Sequence, residues 1–334
     1  MEYKKALEIQ RNLFLHIIAH NGEKSAIPML CEVLHLNKSA VYSRIKVEKL
    51  LRIDELLLLA KMSGFHLDQH IFQGTGVVSF QFNSLYTPIH SCREYLEQVL
   101  SSFHLFISLP DLRVWFAVNS LLFFHLMNYR ELALFKAFAY ARLNWQLPYT
   151  ENLIFNPDTF PERDVYHSFM KPIVRLYSNL STIEFWPDDL YQTTLKQIRY
   201  FEHSGQLKDR SIIATLIEQL QGLCEHQYSM AKQGKKWVLG DTKQEQGGKF
   251  DLYHNEIVPS TITLLAESQY LKGVFSVYDD PNFMFSDNLE IYNYTLASMK
   301  KLKAKCLHIS EDSEQNRRAY FNRVKDEIHR LSSY

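Results

Sequence analysis

The chain has 334 residues, of which 46% are hydrophobic and 22% are charged, the balance of an ordinary globular protein. This length exceeds one typical hydrophobic core, so we expect two domains. Lysine and arginine together number 37, as do aspartate and glutamate, which excludes a global electrostatic attraction to nucleic acid or membranes and requires any basic patch to be local.

Helical patterns dominate the first 70 residues. Residues 1–20 carry apolar side chains at helical spacing, and Asn21-Gly22 ends that helix. Residues 25–70 then predict two short helices joined by a tight turn, a basic link and a third helix. Ser25 is the expected N-cap of the first of these helices, with Pro28 in its first turn. This order is typical of a helix-turn-helix DNA-binding domain.

The second helix of that segment carries the side chains that suit DNA. Asn37 is its expected N-cap, and Val41 and Ile45, four residues apart, are expected to point into the bundle. The outer face of the helix is then formed by Lys38, Ser39, Tyr42, Ser43 and Lys46. Lysine, serine and tyrosine side chains at such positions can bind phosphates and base edges.

A local positive charge surrounds this helix. From Lys38 to Arg52 there are five basic residues and one acid, Glu48, and such a cluster supplies the sequence-independent part of DNA affinity. The predicted DNA-binding residues are Lys38, Ser39, Tyr42, Ser43, Lys46 and Lys49.

Two stretches, LCEVLHLNKSAVYSRIK and LRIDELLLLAKMSGFHLD, resemble the lambda-repressor-like (Cro/CI, XRE-type) helix-turn-helix family, and the resemblance covers residues 5–72. The segment SAVYSRI is similar to a subgroup of bacterial regulators in which such a domain precedes a larger domain of unclear role. The resemblance implies transcription regulation, and it places the recognition positions at Lys38, Ser39, Tyr42 and Ser43.

Three positions depart from the pattern of that family. His35 occupies the turn position that glycine usually holds, where φ is positive. Ile27 stands where the family often has a phosphate-binding glutamine, and Val47 replaces a glycine that is common in the link. These three changes are expected to weaken operator binding more than they affect the fold.

Beyond residue 72 the pattern changes. Gln73-Gly74-Thr75-Gly76 interrupts it, so we predict two domains, 1–72 and 77–334. Strands are expected at 77–82, 112–118, 250–257, 261–267 and 273–278. Helices are expected near 90–107, 129–145, 161–180, 187–204, 209–232, 286–304 and 312–332. The segment 233–249, rich in glycine and lysine, is expected to be a solvated loop, with a mobile gate over a ligand pocket as the alternative.

These elements predict a mainly α, α+β chain. An N-terminal all-α helix-turn-helix bundle would precede a larger helical domain that is built around a small β-sheet.

Other chemical signals are weak. Cys224-Glu-His226 and Cys306-Leu-His308 share a spacing that a Cys2His2 zinc site could use, but side chains two residues apart on a helix point in different directions. Buried cysteines and ordinary histidines are the preferred interpretation. Asp188-Asp189 and Asp279-Asp280 are interpreted as helix caps and turns. The sequence has no GxSxG, HExxH or GxGxxG motif, so we predict no enzyme, cofactor or metal.

The sequence thus predicts a cytoplasmic transcription regulator that binds double-stranded DNA. Widely spaced cysteines are typical of reduced thiols, and no apolar run reaches the length of a membrane span. The larger domain is expected to form a homodimer or to bind a small-molecule or protein effector, since a single small DNA-binding domain gives modest affinity. Two alternatives stay open: a protein–protein interaction module that does not bind DNA, and an enzyme tethered to DNA.

Overall fold

The computed structural model describes residues 2–83, 88–241, 247–257 and 261–332. It divides into two compact units, Met1–Ser79 and Phe80–Tyr334, here named the N-terminal unit and the C-terminal unit. The chain is mainly helical and contains a mixed sheet, so the predicted mainly α, α+β class is confirmed. Within the described ranges, no helix combines the length and the apolar character that are needed to cross a membrane.

Helices pack around a small core in the N-terminal unit. They are α1 (Glu2–Asn21), α2 (Glu23–Leu34), α3 (Lys38–Ile45), α4 (Ile53–Ser63) and α5 (Leu67–Ile71). The buried centre of the core includes Leu13, Phe14, Ile17, Ala26, Leu30, Val41 and Leu59. These side chains recur three and four residues apart within α1 and α2, the spacing that gives a helix one apolar face.

Helix α2 begins earlier than predicted. It starts at Glu23 rather than after Ser25, because Gly22 takes the N-cap position with φ of 72° and its carbonyl accepts the amide of Ala26 at 3.0 Å. Glycine adopts this conformation without the clash that a Cβ would cause. Pro28 therefore lies inside α2 rather than in its first turn.

The turn from α2 to α3 uses a left-handed residue and a side-chain cap. His35 ends α2 with φ of 52°, and the Asn37 side chain accepts the amide of Ala40 at 2.9 Å to start α3. Val47, just beyond α3, has φ of 62°, a conformation that is unfavourable for a β-branched residue. Two of the three departures from the family pattern thus lie where the backbone favours glycine.

A buried glutamine of α1 holds the link between α3 and α4. Gln10 is 2% exposed, and its Nε2 donates to the carbonyls of Arg44 at 2.7 Å and Lys49 at 2.9 Å. Its Oε1 accepts the amide of Leu51 at 2.8 Å. One side-chain amide therefore bonds one backbone group in the last turn of α3 and two in the link, which has no regular secondary structure.

An eight-stranded sheet forms the centre of the C-terminal unit. Its strands are β1 (Gln81–Phe82), β2 (Arg113–Ala117), β3 (Thr182–Trp186), β4 (Phe250–His254), β5 (Thr263–Glu267), β6 (Lys272–Asp279), β7 (Asn282–Ser286) and β8 (Leu307–His308). Their order is β1-β7-β6-β5-β2-β3-β4-β8. The neighbours β2, β3 and β4 are parallel, and the remaining pairs are antiparallel.

Helices cover both faces of this sheet. They are α6 (Cys92–Ile107), α7 (Phe123–Leu126), α8 (Arg130–Ala139), α9 (Lys171–Asn179), α10 (Gln192–His203), α11 (Arg210–Gln233), α12 (Leu289–Lys305) and α13 (Glu314–Ser332). Phe185 of β3 packs with Met299 of α12 on one face, whereas Trp186 belongs to the large core on the other face. Successive side chains of a strand point to opposite faces, so β3 contributes to both cores.

Shorter helical pieces complete the unit. One π-helical turn, Tyr140–Asn144, continues from α8, and another, Tyr166–Met170, precedes α9. A short 3-10 turn lies at Pro148–Thr150. The helix that was predicted over 161–180 therefore begins at Tyr166.

The sheet is larger than the small sheet that the sequence predicts. Strands β3, β7 and β8 were not predicted, and the strand expected over 77–82 shortens to Gln81–Phe82. The prediction missed β3 because Glu184 interrupts its apolar run. A strand that is buried on both faces also shows no alternation between apolar and polar side chains.

The segment 233–249 is not simply a solvated loop. Lys236, Trp237 and Val238 are buried, and the amide of Lys236 donates to the carbonyl of Gly248 at 3.0 Å. A Cβ at Gly247 would lie 1.4 Å from the Lys236 carbonyl oxygen, so the backbones approach at a distance that only glycine permits. The expectation of a solvated loop is therefore wrong for these residues, and 242–246 lie outside the described residues.

We predict that Gln10→Ala destabilises the protein by about 3 kcal/mol, because the Lys49 carbonyl and the Leu51 amide lose their partner and the Arg44 carbonyl keeps only the Val47 amide. Urea denaturation of the full chain measures this loss. Gln73→Ala, which removes an exposed glutamine of the same unit, serves as the control and should change stability by less than about 0.5 kcal/mol. Equal effects of the two substitutions would show that Gln10 does not hold the link.

Candidate DNA-binding surface

The predicted DNA-binding side chains lie on one side of α3 and its link. Lys38, Ser39, Tyr42, Lys46 and Lys49 are exposed, whereas Ser43 is half-buried. The Ser43 carbonyl accepts the amides of Glu48 at 2.9 Å and Lys49 at 3.3 Å, where the chain leaves α3. We name the five exposed residues the α3 surface.

The opposite side of α3 packs into the N-terminal unit. Val41 is fully buried and Ile45 is half-buried, as the four-residue spacing predicts. Arg44, one of the five basic residues between Lys38 and Arg52, is also buried, with 4% exposure. Its guanidinium holds Glu55 of α4 in two contacts, Nη2–Oε1 at 2.9 Å and Nε–Oε2 at 3.1 Å. Arg44 is therefore a packing residue and not part of the outer surface.

The contacts with Arg44 also affect the pKa of Glu55. Burial on its own raises the pKa of Glu55, but the hydrogen bond from Arg44 and that from the Arg52 amide outweigh it and lower the pKa below its ordinary value. The carboxylate thus stays charged while it bonds to the Arg44 guanidinium and to the backbone at the start of α4.

Arg52 is also occupied, since its guanidinium pairs with Asp54 at 2.8 Å and 3.0 Å. In the part of the chain that the structure describes, Lys38, Lys46 and Lys49 have no ion-pair partner. The local basic cluster therefore offers three available cations rather than five. These are the charges that can neutralise phosphates without first breaking a bond inside the protein.

The two C-x-H sequences do not form a common site. Cys224 and His226 are buried on α11, whereas Cys306 caps the C-terminal end of α12 and His308 lies in β8. Among the described residues, no group of three or more His, Cys, Asp or Glu side chains is arranged to hold a metal ion. Burial raises the pKa of Cys224 to about 12, so this thiol stays protonated and unreactive.

A chain of hydrogen bonds ties β8 to β4. Asp251 lies 3.0 Å from His308 Nε2 and accepts Lys303 Nζ at 2.9 Å, and His308 Nδ1 lies 3.1 Å from Ser313 Oγ. The nitrogens are used in the reverse sense to a Ser-His-Asp triad, where Nε2 faces the serine, and Lys303 already neutralises the carboxylate. We interpret this cluster as an attachment between elements.

The sequence analysis missed a buried charged cluster beneath the sheet. Glu184 is fully buried on β3 and accepts hydrogen bonds from Tyr177 at 2.5 Å, Thr182 at 2.8 Å and the Trp186 indole at 2.9 Å. His125 of α7 lies 3.5 Å from its carboxylate. The sequence signal that could have revealed this cluster is the pair Thr182 and Glu184, since two polar residues two positions apart lie on the same face of a strand.

Lys236 completes this cluster. Its Nζ lies 3.7 Å from the centre of the Tyr177 ring, is fully buried, and has no hydrogen-bond partner in the described part of the chain. Burial lowers the pKa of Lys236 to about 7, although the charge of Glu184 acts to raise it. Burial on its own raises the pKa of Glu184, but the interactions with His125, the charge of Lys236 and the hydrogen bond from Tyr177 bring it down to about 2. The carboxylate is therefore the group that allows a cation to lie in the core.

Comparison with family models, with curated proteins and with solved structures finds no match to this chain. The interpretation of both units therefore depends on their own residues and geometry.

We predict that Glu184→Gln lowers the free energy of unfolding by about 3–5 kcal/mol at about pH 6, because the buried lysine must then either keep its charge without a counter-charge or lose its proton. The double variant with Lys236→Met should lose less than Glu184→Gln alone. Urea denaturation measures both losses, and Glu151→Gln, at an exposed carboxylate, is the control.

Lys236 makes this loss of unfolding free energy depend on pH. An unfolded lysine has a pKa of 10.5 and the folded one about 7, so the unfolded state binds more protons between these values and stability rises with pH across that window. The deficit of Glu184→Gln should therefore be larger at about pH 6 than at about pH 9, where the folded lysine is neutral. A deficit that is independent of pH would contradict the role assigned to Lys236.

Proposed function

We propose that this protein is a cytoplasmic DNA-binding transcription regulator whose α3 surface enters the major groove. Lys38, Lys46 and Lys49 would contact phosphates, and Ser39 and Tyr42 would reach base edges. The C-terminal unit would form a homodimer or bind a small-molecule or protein effector. One observation carries the proposal: Arg44 of α3 turns inward into an ion pair, while Lys38, Ser39 and Tyr42 of the same helix and the two lysines that follow it remain exposed.

The composition of the α3 surface supports DNA over a protein partner. Its centre carries one partly exposed aromatic side chain, Tyr42, among lysines and serine, whereas the centres of protein interfaces are apolar and depleted in lysine. The start of α3 adds to this, because the first amides of a helix attract anions. One of these amides, that of Ala40, already donates to Asn37 Oδ1, so any attraction would come from the others.

An interaction module that does not bind DNA is the main alternative. The two functions differ in their dependence on salt, since phosphate contacts release counterions and lose affinity steeply as salt rises. An enzyme tethered to DNA is the second alternative, and no specific arrangement of side chains described above favours it.

The experiment is fluorescence anisotropy of the full chain with a labelled duplex of mixed sequence at several salt concentrations. If three lysines each neutralise one phosphate, the slope of log affinity against log salt is about −3 for each DNA-binding unit. Lys46→Glu should reduce affinity by more than about tenfold, since it removes an attraction and adds a repulsion.

Lys4→Glu, an equal charge change on the exposed side of α1, is the matched control. It should leave most of the affinity in place. If the wild-type chain fails to bind the duplex at low salt, or if both variants lose the same affinity, the proposal is wrong and the interaction module becomes the better interpretation.

A further inference from the structure

Helix α4 carries an exposed apolar face that the function proposed above does not use. Ile53 is 79% exposed, Leu57 57%, Leu58 48% and Met62 41%. Large apolar side chains grouped on one helix face at such exposure are typical of an interaction site. The opposite face of α4 packs inward through Leu59 and Ala60, so the exposed face is not needed for the core of the N-terminal unit.

The residues on this face are arranged so that the face is complementary to a second copy of itself. They form two rows, each spaced by four residues, Ile53–Leu57–Lys61 and Asp54–Leu58–Met62. If two copies of the helix lie antiparallel, the first row of one copy faces the second row of the other in reverse order. Ile53 then lies opposite Met62, Leu57 opposite Leu58, and Lys61 opposite Asp54.

We infer that α4 binds α4 of a second copy of this chain, antiparallel about a two-fold axis between Leu57 and Leu58. A two-fold interface requires a surface that is complementary to itself, and this face meets that requirement in both hydrophobicity and charge. Two lysine–aspartate contacts, one at each end, would oppose a parallel arrangement, which brings like charges together. The inference deepens the proposed function, because a dimeric DNA-binding protein reads paired half-sites.

The α4 face, which consists of the two rows Ile53–Leu57–Lys61 and Asp54–Leu58–Met62, is small, so we expect the pairing to be weak. Six side chains form it, fewer than the roughly 20 residues a side of a standard interface. Asp54 also pairs with Arg52 of its own chain, so the second copy's lysine would extend an existing exposed network. The association expected from α4 alone is a reversible one that adjacent half-sites on DNA would strengthen.

Sedimentation velocity of the full chain over a range of concentrations tests the inference. The wild-type protein should dimerise at or below about 100 µM, and Leu57→Glu should weaken the dimer at least about tenfold, since it brings charge into an apolar contact. Leu105→Glu, at a leucine of the C-terminal unit that is 72% exposed, is the matched control and should dimerise as the wild type does. A monomeric wild type overturns the inference, as does an unchanged Leu57→Glu dimer.

A charge exchange tests the antiparallel order itself. Asp54→Lys alone and Lys61→Asp alone should each weaken the dimer several-fold, because each creates like-charge contacts, and the double variant should recover most of the loss. Circular dichroism checks that each variant keeps its helices. Failure of the double variant to recover overturns the assigned order.

The same variants separate this inference from the proposed function. A dimer that depends on Leu57 but does not bind the duplex supports the pairing and overturns DNA binding. A chain that binds the duplex but whose dimer is insensitive to Leu57 and to the charge exchange overturns the pairing and leaves DNA binding standing.

Discussion

The Arg44–Glu55 ion pair determines which side chains of α3 are exposed on the N-terminal unit. It joins α3 to α4, both side chains are largely buried, and two nitrogen–oxygen contacts fix its geometry. Removing one partner of a buried pair leaves an unpaired charge that costs about 3–5 kcal/mol. Because a helix turns 100° per residue, holding Arg44 inward also determines which side chains of α3 point outward. The pair therefore selects the exposed surface as well as stabilising the fold.

Gln10 acts on the same junction from the other side. Its three hydrogen bonds hold the backbone that leaves α3 and enters α4, and Val47 keeps a left-handed conformation within that segment. Such a conformation costs a β-branched residue free energy, so it persists only where surrounding contacts require it. The link is thus defined by contacts from two other helices and not by its own conformational preferences.

How far the sequence predicts this structure depends on whether the signal is local. The spacing of Val41 and Ile45 predicts the inner face of α3, and Asn37 predicts its start, because both depend on neighbouring residues alone. Arg44 could not be assigned inward, since its partner lies eleven residues away on another helix.

The C-terminal unit shows the same limit. Strand β3 and the buried position of Lys236 both depend on a carboxylate, Glu184, whose compensating partners come from α7, α9 and the segment after α11. A charged residue in the sequence predicts exposure unless those partners are known. For this reason the helices were predicted better than the sheet.

The link also connects the two exposed faces of the N-terminal unit. The α3 surface and the α4 face belong to helices whose relative placement is set by Arg44–Glu55 and Gln10. If two copies pair through α4, the separation of their α3 helices is then determined by this junction and not by the C-terminal unit. Rigid spacing of two DNA-binding helices is what makes half-site separation selective. Under the proposed function, the buried contacts of the link would therefore contribute to DNA specificity without touching DNA.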